Sequence, residues 1–125
     1  MTTVEKKAME LIMEYEKKQG RTPRDVHKTK CGYDIKSGTR CIEVKGAAQK
    51  GKIPHWIGLY KKVISQLGGK VMNYYIYIVY DVNNEPKLLI FPPKVILSNL
   101  EVDHNFVIHP KRVLKDNKKI KSISL

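Results

Sequence analysis

The run Tyr74-Tyr75-Ile76-Tyr77-Ile78-Val79-Tyr80 lies inside a stretch, residues 71–82, that is aromatic and β-branched almost throughout. A strand whose alternating side chains are apolar on both sides has to be covered on both faces, so this segment reads as the central strand of a sheet. A turn over residues 81–86 returns the chain into Lys87–Phe91, and Pro92-Pro93 ends that second strand. The apolar run is far shorter than the roughly 20 residues that span a bilayer, so no membrane segment is expected. With 125 residues the chain has room for a single domain, residues 1–125, around one core.

Helical signals flank this centre. Val4, Ala8, Leu11, Ile12 and Tyr15 recur with the spacing of one helical face and predict an opening helix over residues 3–18, with Thr3 as N-cap and Gly20 as stop. At about 100° per residue Glu5 sits at the edge of the apolar stripe, while Glu10 and Glu14 point away, so of the three only Glu5 can reach a neighbouring sheet. Residues 21–27 read as a connection. Pro54, Trp56, Leu59, Tyr60, Val63, Ile64 and Leu67 predict a second helix over residues 54–67, closed by Gly68-Gly69. Beyond the proline pair we expect a helical turn near residues 94–97 and edge strands over residues 106–108 and 120–125. Helices and strands in this order predict an α/β domain.

Between the helices lies a predicted hairpin, with strands over residues 28–36 and 40–46 joined by Lys36-Ser37-Gly38-Thr39. A turn centred between Ser37 and Gly38 places Ile35 opposite Arg40, Asp34 opposite Cys41 and Tyr33 opposite Ile42. Alternation along the strands then gathers Cys31, Tyr33, Ile35, Ile42 and Val44 on a core face. Asp34, Cys41, Glu43 and Lys45 share the other. The same register separates Cys31 from Cys41, so a disulfide between them is not expected. The N-terminus lacks the apolar stretch of a secretory signal, and the expectation is a cytoplasmic protein with free thiols.

Charge adds a partner. The chain carries 24 basic against 12 acidic residues, a formal charge of +12, and such a field favours polyanions, nucleic acid above all. Residues 17–52 hold eleven bases and only three acids, Asp25, Asp34 and Glu43. Lys28, Lys30, Lys36, Arg40, Lys50, Lys52, Lys61 and Lys62 are the candidate phosphate contacts. A merely solvated basic surface is the competing reading.

Two carboxylates and a lysine on one sheet face suit Mg²⁺ or Mn²⁺, hard cations that take carboxylate oxygens and bridge to substrate phosphate. Asp34, Glu43 and the carbonyl of Val44 would hold the metal, and Lys45 would meet the charge that develops on the phosphate. Cross-strand surface ion pairing is the bland reading of the same residues.

The pattern Gly32-Tyr33-Asp34-Ile35, a short polar turn, then Arg40-Cys41-Ile42-Glu43-Val44-Lys45-Gly46 resembles the PD-(D/E)xK nuclease superfamily. It looks closest to the Mrr-like restriction endonuclease branch and to the domain named after the C-terminus of the NO VEIN protein. The resemblance implies a restriction-endonuclease-like mixed sheet of about four core strands flanked by helices. It implies Asp34 and Glu43 as metal-binding acids, Lys45 as the catalytic lysine and Glu5 as the first-helix glutamate, with Glu10 as its competitor. The activity implied is metal-dependent cleavage of DNA, with homodimerisation or a helicase or ATPase partner as routes to a duplex. A Holliday-junction resolvase shares this fold and charge, and a non-catalytic nucleic-acid-binding or assembly module is the rival of a different class. The four histidines share no metal-ligand spacing. The tyrosines of the central run read as core rather than as a base-stacking platform.

Overall fold

The two-faced apolar run folds as an interior strand of a six-stranded mixed sheet. The computed structural model describes residues 2–29, 31–54, 57–59, 73–102 and 106–125. Along the chain, helix α1 (Thr3–Lys18) is followed by β1 (Pro23–Asp25), a 3-10 turn (His27–Thr29), β2 (Ile35–Ser37), β3 (Arg40–Ala47), β4 (Ile57–Leu59), β5 (Tyr74–Tyr80) and β6 (Lys87–Phe91). Helix α2 (Pro93–Ser98), β7 (Glu101–Val102), β8 (Phe106–Ile108), α3 (Pro110–Asp116) and β9 (Ile123–Ser124) complete it. The large sheet has the order β1-β2-β3-β5-β6-β9, and a small second sheet has the order β4-β8-β7. Among the described residues, only β3 and β5 pair in parallel; the other neighbours in the large sheet are antiparallel. No helix among the described residues is long and apolar enough to cross a membrane.

Two cores sandwich the large sheet. On one face α1 lays Ala8, Met9 and Ile12 against Ile35, Ile42, Val44, Tyr77 and Val79. On the other, Cys41, Tyr74, Ile76, Ile78 and Phe91 meet Ile57 and Ile108 of the small sheet, Ile96 of α2 and Val113 of α3. β5 supplies both faces, which is why its sequence carries no polar alternation.

Helix α1 has the bounds its periodicity predicts, but its cap is Thr2, whose Oγ1 accepts the Glu5 N–H at 3.1 Å. Gly20, at φ +84°, lies just past the C-cap Gln19, in the backbone region that glycine enters without a Cβ clash.

The hairpin differs in register. Ser37 pairs with Arg40, Lys36 with Cys41 and Ile35 with Ile42, so the turn consists of Gly38-Thr39 and partners shift by two residues from the expected ones. Gly38 explains the choice, since its φ of +58° meets the positive value that a type II′ turn needs at its first central residue. A shift of two preserves faces, so Lys36, Cys41 and Glu43 still point away from α1.

Alternation fails one step earlier. Asp34 also donates its N–H to the Ile42 carbonyl, so Asp34 and Ile35 both face Ile42, an offset of the kind a β-bulge makes. Residues 31–34 bend around Gly32 at φ +94° instead of continuing the strand. Tyr33 therefore packs with Cys41 in the core away from α1, not with Ile35 and Val44. Cys31 approaches Tyr33 and thus the same neighbourhood, which corrects the expected separation of the two cysteines; both are free thiols.

The connection expected over residues 21–27 contains β1, whose Pro23 is tolerated because the strand lies at the sheet edge. The helix expected from Pro54 is replaced over Ile57–Leu59 by a strand: Ile57 and Leu59 are both buried on either side of Gly58, a period of two, and glycine weakens a helix interior. Pro54 lies in irregular chain, and the remainder of that prediction, residues 55–56 and 60–67 with Trp56 among them, falls outside the described residues. Helix α2 covers the expected turn at residues 94–97, and β9 is the expected edge strand. β8, however, lies in the middle of the small sheet.

α1 presses close to the sheet at Gly46. A Cβ there would meet Ala8 Cβ and Val4 Cγ1 at 3.2 Å and the Val4 carbonyl oxygen at 3.3 Å. We expect Gly46→Ala to lower the free energy of unfolding by about 1–3 kcal/mol through this overpacking, read as a shifted urea midpoint with an unchanged slope.

Candidate active site

Strand β3 sets the site. Cys41, Glu43 and Lys45 alternate onto the face away from α1, beside Tyr74, Ile76 and Ile78 of β5. Glu43 is only 6% exposed there, and its Oε2 accepts a hydrogen bond from the Tyr74 hydroxyl at 3.2 Å.

Asp34 arrives from the bend ahead of β2. Three backbone bonds hold it: its N–H donates to Ile42 at 2.8 Å, its carbonyl accepts from Val26 at 2.8 Å, and its Oδ2 accepts the Val44 N–H at 2.8 Å. The last bond replaces a rung of the ladder, because β2 has already ended where Val44 looks for a partner.

The Asp34 and Glu43 carboxyl groups lie close enough to interact directly. Burial, then the Asp34 carboxylate, pushes the Glu43 pKa up to about 9, against a partial offset from Lys45 and Tyr74. Near neutral pH the pair therefore shares a proton, with Glu43 as the protonated member. Lys45 is half-buried two residues further along the same face. A second lysine borders this group: Lys36, on the same face of β2, donates from Nζ to Cys41 Sγ at 3.5 Å. Burial, then Cys41, pushes the neighbouring Tyr33 hydroxyl up to about 12.

A strand residue directs its N–H and its carbonyl to the same side, so Val44 also turns its carbonyl toward the edge where Asp34 stands. Two carboxylates and that carbonyl are hard oxygen donors of the kind Mg²⁺ and Mn²⁺ take, with water completing the shell. The donor set fits such a cation once the shared proton leaves. Among the described residues, no group of three or more His, Cys, Asp or Glu side chains is placed to hold a metal.

The structure thus brings Asp34, Glu43, Val44 and Lys45 together. Glu5 lies apart, in the first turn of α1 on the opposite face of the sheet, and its side chain makes no hydrogen bond or ion pair among the described residues. Of the basic candidates, Lys28, Lys50 and Lys52 are exposed, Lys36 flanks the carboxyl pair, and Lys30, Lys61 and Lys62 fall outside the described residues.

Arg40 has a different environment. Its guanidinium stacks 4.4 Å from the Tyr75 ring centroid and donates to the Tyr77 hydroxyl at 2.7 Å. Tyr77 in turn donates to Glu16 at 3.0 Å, and Arg21 grips Glu16 through Nε at 2.6 Å and Nη2 at 2.7 Å. Burial alone would raise the Glu16 pKa, yet these donors hold it below the usual carboxylate value. Sequence reasoning overlooked Glu16, Arg21 and the hydrogen bonds that the hydroxyls of Tyr74 and Tyr77 make from within the core where those tyrosines are expected. Glu16 was detectable, since it continues the Ala8, Ile12 spacing into the buried face of α1.

The raised pKa of Glu43 ties stability to pH. A group of this kind contributes stability that is complete below its ordinary value of 4.5 and is lost as pH rises toward about 9. Metal-free protein should therefore lose up to about 1.4 kcal/mol per pH unit within that window from this group. Glu43→Gln should flatten the decline and exceed the parent in melting temperature at pH 8–9, checked by thermal unfolding in chelator. Arg40→Ala should cost about 1–2 kcal/mol, from removal of a hydrogen bond and a cation–π interaction, read as a lowered urea midpoint.

None of the curated proteins matches the chain. A family model does: that of the C-terminal region of the protein NO VEIN matches residues 4–91, from the first turn of α1 to the end of β6 and including every residue of the site just described. With that match covering more than half of its length, the chain belongs to the NO VEIN C-terminal domain family.

Proposed function

We propose that this domain is a metal-dependent DNA endonuclease of the PD-(D/E)xK type, with a restriction-endonuclease-like fold, that hydrolyses phosphodiester bonds with Asp34, Glu43 and Lys45. The single observation that carries this reading is the convergence of two carboxyl groups and a lysine: Asp34, fixed by the Val44 N–H, interacts directly with buried Glu43, and Lys45 follows on the strand of Glu43. Two acids brought together and half-neutralised by a proton weaken a fold, and a divalent cation in place of that proton turns the repulsion into ligation.

Asp34, Glu43 and the Val44 carbonyl would hold Mg²⁺ or Mn²⁺, which supplies Lewis-acid polarisation of a phosphate and acidification of water. The chain's own groups do the rest. The Val44 N–H fixes Asp34, so its carboxylate is oriented before substrate arrives. Tyr74 orients Glu43 through one oxygen. Lys45 offers its ammonium to the negative charge that grows on the phosphate as it is attacked. Lys36 stands on the same face, beside Cys41, as a phosphate contact.

Nicking of supercoiled plasmid by the purified chain tests this. With Mn²⁺ or Mg²⁺ the parent should cut, and should stop in chelator. Asp34→Ala and Lys45→Ala should each lower the rate by about 100-fold or more while retaining the parent's circular dichroism spectrum. Metal affinity should rise with pH, because binding displaces the shared proton. Faster cutting of four-way junctions than of linear duplex would narrow the activity to that of a resolvase. A folded parent that binds DNA with no divalent requirement and leaves duplex, single-stranded and branched DNA uncut would sink the enzymatic reading.

A further inference from the structure

The basic residues form two blocks. One is the segment around the site hairpin, and the other begins at Pro110, beyond the family match, where Lys111, Arg112, Lys115, Lys118, Lys119 and Lys121 face a single acid, Asp116. In the rest of the chain bases and acids nearly cancel.

This second block is built, not a loose tail. In α3, Pro110 and Val113 are buried, which turns Lys111, Arg112 and Lys115 outward on one side of the helix. Asn117 caps the helix, its Nδ2 donating to the Val113 carbonyl at 2.8 Å. The Ile120 N–H then returns to the Asn117 carbonyl at 3.0 Å, and Ile120 packs into the same core as Val113. Ile123 joins β6 opposite Leu88. Apolar anchors thus bracket the exposed Lys118, Lys119 and Lys121 on both sides. Arg112 pairs with Glu101 at 2.6 Å, whereas the five lysines make no ion pair among the described residues.

The ridge also lies on the side of the sheet that carries the site. Val113, Leu114 and Ile120 belong to the core that includes Cys41 and Tyr33, the neighbours of Glu43 and Asp34, and that faces away from α1. We propose that the ridge formed by α3 and residues 117–121 is a second contact for the phosphate backbone of duplex DNA, gripping it sequence-independently while the β2–β3 hairpin engages it elsewhere. The proposal rests on the nuclease reading for its choice of DNA. An anionic membrane is the less suitable partner, since an interfacial helix needs a free apolar face and that of α3 is spent on the core.

Fluorescence anisotropy of a labelled duplex tests the ridge without any need for cleavage. Parent and a variant carrying Lys111→Gln, Lys115→Gln, Lys118→Gln, Lys119→Gln and Lys121→Gln are compared across a salt series in chelator. The variant should bind about 10-fold or more weakly at low salt, with the slope of log affinity against log salt shallower by about 0.9 for every phosphate that the ridge no longer neutralises. These positions are exposed, so the thermal midpoint should stay near the parent's. An unchanged slope, no DNA binding by the parent, or a variant defect confined to vesicles of anionic lipid overturns the proposal. Lack of metal-dependent cutting by the parent, with the slope difference intact, counts against the nuclease reading alone.

Discussion

A carboxyl group buried on the central sheet is the constraint around which this fold is arranged. Glu43 is 6% exposed on a strand whose other face is packed by α1, and a lone carboxylate there would cost several kcal/mol. It survives because Tyr74 reaches it from β5 and Asp34 from the bend before β2. Each partner depends on backbone geometry. Tyr74 pairs opposite Cys41 in the parallel register, and Asp34 is held by the Val44 N–H where the antiparallel ladder stops. The parallel β3–β5 pairing and the offset at Asp34 converge on one side chain.

On the other side of the sheet a second buried carboxylate is resolved in the opposite way. Glu16 meets a bidentate arginine and a tyrosine hydroxyl and stays ionised, whereas Glu43 meets another acid and takes up a proton. The first arrangement is complete within the chain. It ties the end of α1 to Arg21 and, through Tyr77, to Arg40 at the start of β3, so it helps fix the hairpin that carries the second. A closed network of this kind belongs to structure. A pair of acids whose charge the fold itself does not balance calls for a partner from outside, which is the physical basis for reading the Asp34–Glu43 face, rather than the Glu16 face, as the functional one.

Much of this was legible in the sequence, because the signals were periodic. The face of α1, the two-sided burial of β5 and the sharing of one face by Glu43 and Lys45 all follow from alternation alone. The hairpin turn was misjudged by a two-residue shift that left faces intact, so the site was unaffected. Tyr33 and Cys31 were misplaced because alternation was carried through residues that bend around Gly32. Residues 57–59 were misread where two apolar residues around a glycine fit either period. β1, only three residues long, and Glu16, a charged residue on an apolar face, were overlooked because composition argued against burial or pairing that only tertiary partners make favourable.

The same distinction between local signal and tertiary context explains the charge. A basic residue in the sequence is a candidate for phosphate, but its neighbours decide whether the charge is free. Arg40, inside the richest basic stretch, spends its guanidinium on Tyr75 and Tyr77, whereas the lysines of α3 and the turn after it face solvent on an anchored frame. Side-chain freedom held over an ordered backbone suits sequence-independent contact with phosphates, since the flexible ammonium adapts while the scaffold does not move. The proposed division of labour follows: a rigid carboxyl pair for the chemistry, and adaptable lysines on the same side of the sheet for grip.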